Sequence, residues 1–352
     1  MATLQVTAER LTVHAHPNAD ALELAQVGLY RAVVAKGQFR TGDWALYIPE
    51  GSLLPTELIA ELGLTGRLAG PERSRVKAIR LRGELSQGIV CVPKRLAGVD
   101  LSTVDGHDFA AELGVTKWVP AVPVHMSGDM VAAPDLLPWI EIEDIKRYPR
   151  IFEPGEQVTA TEKVHGTACL FTLIGGESFV SSKGFGAKRL GIAHNPHNLY
   201  WRAIEAYGVP AEATRIAEHF GADRVGIFGE VFGRRVQDLT YGADATAERP
   251  GYAIFDAAIE VGGTLRWLSS GELRDLVTLP TVPLLYEGPY DETALLELAN
   301  GRETVSGKEL HIREGLVVRP ARERYSAVVG GRAIAKFVSG AYLTRKNGTE
   351  YE

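Results

Sequence analysis

Cysteine is scarce in this sequence. Only Cys91 and Cys169 occur among the 352 residues, in separate apolar, strand-like segments without the spacing of a metal site. We therefore expect two buried, reduced thiols and neither a disulfide framework nor a cysteine-ligated metal. Long apolar runs are also absent, since none approaches the roughly 20 residues that a helix needs to cross a bilayer. The N-terminus lacks the basic and then apolar pattern of a signal peptide, which predicts a cytoplasmic protein without membrane association.

An excess of positive charge is missing too. The formal net charge is -6 at pH 7, which argues against a protein whose whole surface binds nucleic acid. A basic groove on an acidic body stays compatible with this balance, because binding responds to the local field. At 352 residues the chain is long enough for two domains, each with its own core. We find no internal repeat and no low-complexity segment.

The first 125 residues are predicted to form a small β domain. Short strand-like segments are separated by turn sequences such as Pro17–Asp20, Thr41–Asp43 and Arg82–Gly83. Such spacing is typical of a closed or nearly closed barrel. The strand-like segments are Leu4–Val6, Glu23–Val27, Ala32–Ala35, Trp44–Ile48, Val76–Leu81 and Gly88–Val92.

Two stretches of this domain, His16–Leu22 and Leu85–Val90, resemble the tRNA-binding OB domain found as an appendage of synthetases. The resemblance covers most of residues 4–94 and implies an OB-type fold. It leaves the function of the domain open, because Pro-Asn-Ala-Asp is also good turn chemistry in the absence of any ligand.

Five basic residues lie close together in this domain. Their positions alternate so that one uninterrupted strand would point them to opposite faces. A bulge or bend near Lys77–Ala78 would collect them on one side, which would suit nucleic-acid binding. A solvated outer face is the alternative. The residues are Arg73, Arg75, Lys77, Arg80 and Arg82, of which the last four are our candidate nucleic-acid contacts.

Proline-rich sequence between about residues 120 and 140 predicts a linker, with boundaries at 126 and 140. Residues 141–352 then form the predicted second domain, in which strand and helix patterns mix without regular alternation. This predicts an α+β fold of mainly antiparallel sheets with flanking helices. His194 and His197 are three residues apart, but with a proline between them and no third ligand nearby we predict a polar loop.

A polar corner at residues 162–167 interrupts two strand-like segments of the second domain. Lys163 lies in it, with Gly166 three residues later. A lysine at such a corner suits a nucleophile that attacks a phosphate, and glycine would let the backbone approach the ligand closely. The Lys-x-x-Gly spacing alone is weak evidence, because Lys183–Gly186 and Lys188–Gly191 repeat it.

The full string Thr161–Thr167 resembles motif I of covalent nucleotidyltransferases, in the form used by ATP-dependent RNA ligases. Further pieces follow in the order of that superfamily. Phe228–Gly233 resembles motif III, Tyr252–Asp256 motif IIIa, Glu314–Arg319 motif IV and Ala333–Val338 motif V, while Ser181–Lys183 resembles motif Ia. The resemblance covers roughly residues 141–340.

The resemblance implies a role for each site residue. Lys163 would attack the α-phosphorus of ATP and become lysyl-AMP, with Mg²⁺ (or Mn²⁺) held by Glu230 and Glu314. Nearby cations, the metal ion and Lys336, would favour the neutral amine. Lys336 would also stabilise charge on the phosphate. The remaining nucleotide contacts would be Glu162, His165, Gly166, Ser182, Lys183, Phe232 and Val317, with Phe232 and Val317 against the adenine.

Two departures bear on the subfamily. Motif V commonly has two lysines, but Ile334 occupies the first place, so Arg332 is a candidate to supply the missing phosphate contact. The OB-like domain precedes the transferase domain, as in a minor branch of RNA ligases, the Deinococcus-type enzymes, that seal nicks with an RNA 3′-hydroxyl end.

We therefore predict an ATP-dependent RNA ligase that joins 5′-phosphate and 3′-hydroxyl ends in RNA repair. Its partners would be ATP and RNA or an RNA-containing duplex; the sequence leaves the oligomeric state open. The alternatives are a GTP-using capping guanylyltransferase and a non-catalytic RNA-binding protein with a degenerate transferase domain.

Overall fold

The computed structural model describes residues 3–120, 126–137, 139, 141–346 and 348–349. The chain forms two compact units. The first consists of Met1–Val119 with Glu143–Pro149, and the second of Pro120–Ile142 with Arg150–Glu352. Residues 121–125, 138 and 140, which fall in the predicted linker region, lie outside the described residues. The predicted domain boundaries stay predictions.

The first unit is built from short antiparallel strands. Its sheets have the orders β1-β5-β9 and β2-β3-β4, with the pairs β6–β10 and β7–β8 beside them. Apolar side chains such as Leu46, Ile48 and Leu58 fill one core cluster, and Tyr30, Tyr47 and their neighbours fill another. The elements are β1 Thr7–Arg10, β2 Thr12–Ala15, β3 Leu22–Val27, β4 Tyr30–Ala35, β5 Trp44–Ile48, β6 Ser52–Leu53, α1 Thr56–Glu61, β7 Ile79–Leu81, β8 Glu84–Ser86, β9 Ile89–Cys91, α2 Ala110–Leu113 and β10 Thr116–Lys117, with two short 3₁₀ turns at Lys94–Leu96 and Leu101–Thr103.

The predicted strand Val76–Leu81 is wrong in its first half. The Val76 N–H donates to the Ser52 carbonyl oxygen, whereas Ile79–Leu81 pairs with Glu84–Ser86 in a hairpin. The chain changes partners between these two pairings, at residues 77 and 78, so the strand is interrupted where the sequence suggested a bend. The predicted first strand, Leu4–Val6, is also displaced, because the strand that pairs with β5 is Thr7–Arg10.

The second unit contains two large antiparallel sheets and two short antiparallel pairs, β11–β16 and β22–β23. One large sheet has the strands β24, β21, β13 and β20 in that order, and the other has the order β15-β14-β17-β18-β19. The elements that follow β10 are β11 Met130–Ala132, β12 Glu143–Asp144 (in the segment that belongs to the first unit), β13 Gln157–Lys163, β14 Thr167–Ile174, β15 Glu177–Ser182, α3 Lys183–Gly186, β16 Leu190–Ile192, α4 Leu199–Tyr207, α5 Val209–Phe220, β17 Arg224–Phe232, β18 Gly251–Val261, β19 Thr264–Trp267, α6 Ser270–Leu276, β20 Leu284–Pro289, α7 Glu292–Ala299, β21 Gly315–Pro320, β22 Tyr325–Ser326, β23 Gly331–Arg332, β24 Ala335–Val338 and α8 Gly340–Leu343.

Helices α4 and α5 cover one face of the five-stranded sheet. Their apolar side chains, among them Trp201 and Ile216, form one core cluster with strand residues such as Phe171 and Ile227. The opposite face carries Leu170 and Phe228, against which Trp139 packs. Both helices begin and end where the sequence favours it, since Asn198 caps α4 through its side chain and Gly208 and Gly221 end α4 and α5 in the left-handed conformation. In the part of the chain that the structure describes, no helix is long and apolar enough to span a bilayer.

A buried ion-pair network links the two sheets. Asp256, on β18, is 1% exposed and accepts a hydrogen bond of 3.0 Å from Nη1 of Arg319, on β21. Arg332 donates to the same carboxylate and to Glu323. The Arg332 guanidinium also lies 4.4 Å from the centroid of the Trp267 ring. Motif residues that could be taken for ligand contacts therefore have a structural role here.

Replacing Asp256 with alanine should destabilise the second unit by about 3–5 kcal/mol, because a buried arginine loses its partner. Urea unfolding followed by tryptophan fluorescence measures this, since Trp267 lies beside the network. Glu287→Ala is the control; it removes an exposed pair with Arg274 and should cost about 1 kcal/mol or less. Equal effects of the two substitutions would mean that the network contributes no more than a surface pair.

Candidate functional site

The corner that contains Lys163 joins the two sheets of the second unit. Lys163 is the last residue of β13, and β14 begins at Thr167, so only three residues lie between the sheets. A Cβ atom at position 166 would lie 2.2 Å from the carbonyl oxygen of Val231 on β17. Gly166 is thus required by close backbone packing within the protein. The sequence predicted that this glycine lets the backbone approach a ligand, and it did not indicate the close contact with Val231.

Glu314 lies beside Lys163. Antiparallel pairing sets Lys163 opposite Gly315, and the Lys163 Nζ donates to Glu314 Oε1 at 2.6 Å. Burial works against the ammonium, but the carboxylates of Glu314 and Glu230 outweigh it and raise the pKa of Lys163 above its usual value. Cations near Lys163 were predicted to favour the neutral amine, whereas the carboxylates next to it favour the charged form.

Glu230 holds the corner from the neighbouring strand. It is opposite Ala168 on β14, and its Oε1 accepts a hydrogen bond of 3.0 Å from the Gly166 N–H. Burial, followed by repulsion from Glu314, raises the pKa of Glu230 to about 8, although Lys163 lowers it. The two predicted carboxylates and the predicted nucleophile therefore come together.

The carboxylate pair fits a divalent cation. Oε2 of Glu314 is buried and accepts no hydrogen bond from any described residue, and a cation would favour the charged form of Glu230. Mg²⁺ usually binds one or two carboxylates and completes its shell with water and substrate phosphates. A cage made by protein alone is not found, since no group of three or more His, Cys, Asp or Glu side chains among the described residues could hold a metal ion.

Lys336 and Val317 lie on the same sheet face as Lys163. Val317 is paired with Thr161 on one side and with Lys336 on the other. Thr161 is two residues before Lys163, and side chains two apart on a strand point to the same face. The structure therefore places these predicted residues on the face of the predicted nucleophile.

The two residues that bear on the departure from the motif V pattern, Ile334 and Arg332, lie inside the protein. Ile334 is buried, with 4% of its surface exposed. Arg332 forms its ion pairs with Asp256 and Glu323 and is almost completely buried. The suggestion that Arg332 replaces the missing phosphate contact is therefore wrong, because its guanidinium is already occupied inside the protein.

Glu162 points away from Lys163, as its position one residue earlier requires. Its Oε2 accepts hydrogen bonds from the backbone N–H and the hydroxyl of Thr304, at 2.8 and 2.7 Å. The nearest cation is Arg313, at 3.6 Å. Burial raises the pKa of Glu162. The side chain thus anchors the segment before Glu314, and the predicted backbone contact with a nucleotide stays a prediction.

The other predicted nucleotide contacts have partners within the protein. Ser182 caps the short helix α3, and Lys183 Nζ lies 3.0 Å from Glu141 Oε2. Phe232 is mostly buried, and its ring meets the Tyr241 ring edge-on, with centroids 5.2 Å apart. Contact of these residues with a nucleotide stays a prediction.

The basic residues of the first unit have different surroundings. The guanidinium of Arg75 stacks on the Trp118 ring, 3.3 Å from its centroid. Arg80 and Arg82 are exposed on the β7–β8 hairpin, and Lys77 is half-buried. The hairpin is fixed to the turn at Pro17–Asp20, because Asn18 Nδ2 donates to the Arg82 carbonyl oxygen. A role in nucleic-acid binding stays a prediction.

His165, a predicted nucleotide contact, has surroundings that the sequence does not indicate. The ring is buried, with Nε2 2.9 Å from Asp238 Oδ1 and Nδ1 2.9 Å from the Tyr342 hydroxyl. Arg345 binds the same aspartate with Nε and Nη2. These partners are 73 to 180 residues away in the chain, so no local pattern indicates them. As predicted, His194 lies in a loop, where it pairs with Glu205.

Comparison with known proteins was made for both parts of the chain. The profile of the RNA ligase family matches residues 156–338, which is more than half of the 352 residues. A profile of an OB-fold domain matches residues 4–93. No curated protein matches the sequence.

Solved structures of Naegleria gruberi RNA ligase have a similar fold. A lysine-to-alanine mutant with ATP and Mn superposes with a TM-score of 0.78 at 22% identity, over 96% of this chain and 98% of that chain. A glutamate-to-alanine mutant with AMP and Mn gives 0.79 at 22% identity, with the same coverage. The form with PPi gives 0.76 at 22% identity, over 96% and 97%. The predicted fold, an OB domain followed by an α+β transferase domain of mainly antiparallel sheets, is confirmed, and the chain belongs to the RNA ligase family.

Proposed function

We propose that this RNA ligase uses ATP and forms its covalent intermediate on Lys163. The observation that carries the proposal is the ion pair of Lys163 with Glu314, in which Nζ and Oε1 are 2.6 Å apart. It lies at a corner whose backbone is bound by Glu230, which accepts a hydrogen bond from the Gly166 N–H. That the Naegleria gruberi enzyme has been solved with ATP, with AMP and with PPi supports adenylyl transfer as the reaction.

In the first step, the Lys163 amine attacks the α-phosphorus of ATP. A nitrogen–phosphorus bond forms, the bond from that phosphorus to the bridging oxygen breaks, and pyrophosphate leaves. The Lys163 ammonium must first give up a proton, which Glu314 Oε1 at 2.6 Å can accept and pass to solvent, and the ion pair between the two is then lost. Mg²⁺ or Mn²⁺ held by Glu230 and Glu314 would supply positive charge that offsets these carboxylates and the phosphates.

Other residues of the same sheet face would orient the nucleotide. Lys336 would stabilise charge on the phosphates, and Val317 would contact the adenine. Phe232 would contact the adenine on the other side, which requires more of its ring to be accessible than the 7% of its surface that is exposed here. We assign Glu162 a supporting role, since its side chain anchors the segment that precedes Glu314.

Two further steps complete sealing. AMP passes from Lys163 to the 5′-phosphate of a strand, and a 3′-hydroxyl then displaces AMP to form the phosphodiester. We propose nicks or breaks with an RNA 3′-hydroxyl as the substrate, as in RNA repair. The OB domain before the transferase domain supports this choice, because that order is the one found in RNA ligases of this branch.

Incubation with α-labelled ATP or α-labelled GTP, followed by denaturing electrophoresis, tests the proposal. We expect a labelled band with ATP only. Sealing of a nicked duplex with an RNA 3′-hydroxyl should then exceed sealing of the matched nick with a DNA 3′-hydroxyl. A band with GTP only would instead indicate a guanylyltransferase, and the absence of any band would indicate a non-catalytic protein.

The exposed arginines of the β7–β8 hairpin give a separate prediction. The double variant Arg80→Ala with Arg82→Gly should bind RNA more weakly, and the salt dependence of binding should flatten by about one unit of slope for each lost phosphate contact. Glycine suits position 82, where φ is 50°. Formation of lysyl-AMP should be unchanged, because it requires only ATP and the second unit.

The double variant Lys36→Ala with Arg67→Ala is the matched control, since it removes two exposed charges from the same unit. It should leave the salt dependence as in the wild type. If both double variants weaken binding equally, the effect comes from net charge, and the hairpin makes no specific contact.

A further inference from the structure

A cluster of polar side chains surrounds His165, and we call His165, Asp238, Tyr342, Arg345 and Thr349 the His165 cluster. Asp238 lies in the segment after β17, and the last three residues come from the segment that follows β24. Burial would raise the pKa of Asp238, but hydrogen bonds from His165, Arg345 and the Thr349 backbone hold it well below its usual range. Asp238 is thus a carboxylate, which accepts hydrogen bonds only.

The orientation of the His165 ring follows from its partners. Nε2 lies 2.9 Å from Asp238 Oδ1 and 3.2 Å from Arg345 Nη2. Nδ1 lies 2.9 Å from the Tyr342 hydroxyl. Both ring nitrogens therefore have partners within the protein, and the ring is held in one orientation.

The fixed ring lies next to the catalytic carboxylate. His165 Nδ1 is 3.9 Å from Glu314 Oε2, the buried oxygen that has no hydrogen-bond donor among the described residues. Oε1 of the same carboxylate accepts from Lys163. The His165 ring thus limits where the Glu314 carboxylate, and with it the Lys163 amine, can lie.

The same segment also reaches the corner backbone, through the side chain of Gln237. The Thr349 hydroxyl donates to the side-chain oxygen of Gln237 at 2.8 Å, and Gln237 Nε2 donates to the Gly166 carbonyl oxygen at 3.2 Å. Arg345 stacks on the Tyr342 ring, with its guanidinium carbon 3.7 Å from the centroid. The segment therefore contacts the ring of His165 directly and the Gly166 carbonyl oxygen through Gln237.

We infer that Tyr342 and Arg345 are positioning residues for adenylyl transfer, which act through His165 on the Glu314–Lys163 pair. This inference rests on the proposed function, because it takes Lys163 as the nucleophile. A nucleophile must be held within a narrow range of positions, and a misplacement of about 1 Å can cost about a hundredfold in rate. If the segment only stabilised the fold, its loss would lower the melting temperature without a separate effect on the rate.

The test is the single-turnover rate of lysyl-AMP formation over a range of ATP concentrations. Arg345→Ala should lower the rate at saturating ATP by roughly tenfold to a hundredfold, with the half-saturating ATP concentration almost unchanged. Arg345→Lys, which can keep one hydrogen bond to Asp238, should recover part of the rate. Tyr342→Phe keeps the packed ring and removes only the hydroxyl, so it tests the idea even if Arg345→Ala folds poorly.

Lys346→Ala and Thr344→Ala are matched controls from the same segment. Lys346 is exposed, and the Thr344 hydroxyl donates to the Gly340 carbonyl oxygen at the end of α8, away from the His165 cluster. Both variants should react at the wild-type rate. Wild-type rates in Arg345→Ala and Tyr342→Phe, or a change confined to the half-saturating ATP concentration, would overturn the inference.

The two proposals fail in different ways. Wild-type labelling in both cluster variants, together with no labelling in Lys163→Ala, removes the positioning role and leaves the proposed function intact. Labelling that survives in Lys163→Ala removes the proposed nucleophile itself.

Discussion

Replacing Lys163 with alanine should abolish the covalent protein–AMP adduct. The Lys163 amine is the group that the corner holds beside Glu314, at 2.6 Å, and alanine has no nucleophile. Labelling with α-labelled ATP should fall to background, while the melting temperature changes little, because 28% of the Lys163 side chain is already exposed. Electrophoresis after denaturation measures the adduct directly.

Two other lysines with the same spacing provide controls. Lys188 is exposed and is followed by Gly191, so Lys188→Ala should label like the wild type. Lys183→Ala tests the alternative nucleophile; it should reduce labelling at most in part, since Lys183 is paired with Glu141. Labelling that persists in Lys163→Ala and disappears in Lys183→Ala would move the covalent step to Lys183.

Loss of either Glu230 or Glu314 should reduce adenylylation by about a hundredfold or more, if both hold the metal ion. Glu314→Ala removes the partner of Lys163, and Glu230→Ala removes the acceptor of the Gly166 N–H. Glutamine at either position keeps the shape and removes the charge. The glutamine variants should therefore remain nearly as inactive as the alanine variants. Single-turnover labelling and thermal melting measure the two effects separately.

An exposed carboxylate of the same unit is the control. Glu297 lies on the outer side of α7, and Glu297→Ala should label at the wild-type rate. Normal labelling in both Glu230→Ala and Glu314→Ala would remove these residues from the site. Inactivity that accompanies a collapse of the melting temperature would mean that they are needed for the fold.

Much of the second unit could be predicted from local sequence. The Glu292–Ala299 helix begins directly after Asp291, a residue type that favours helix starts and whose side chain caps this one, and Lys163 lies at the junction of two strands as its polar corner indicated. These features depend on short-range patterns, such as capping residues and the alternation of apolar side chains. The strand Leu284–Pro289 is not indicated by its local sequence, because Gly288 and Pro289 are typical of a turn.

The surroundings of the site residues could not be predicted in the same way. Asp238 and Arg345 meet His165 only because the chain folds back over long distances. The sequence likewise gives no reason to expect that Arg332 forms ion pairs with Asp256 and Glu323. Motif order indicates which residues belong to a site, whereas the protonation state of Lys163 depends on which carboxylates the fold brings to it.

The three-residue corner between the sheets restricts movement of the Lys163 backbone. Two successive peptide groups of the corner are hydrogen-bonded to side chains, since the His165 N–H donates to the Tyr241 hydroxyl and the Gly166 N–H donates to Glu230. A lysine tethered in this way can swing its side chain, but its Cα atom cannot leave the sheet. If AMP is attached to Lys163, as we propose, the adduct must stay at this corner, and the 5′-phosphate that accepts the AMP must be brought to it.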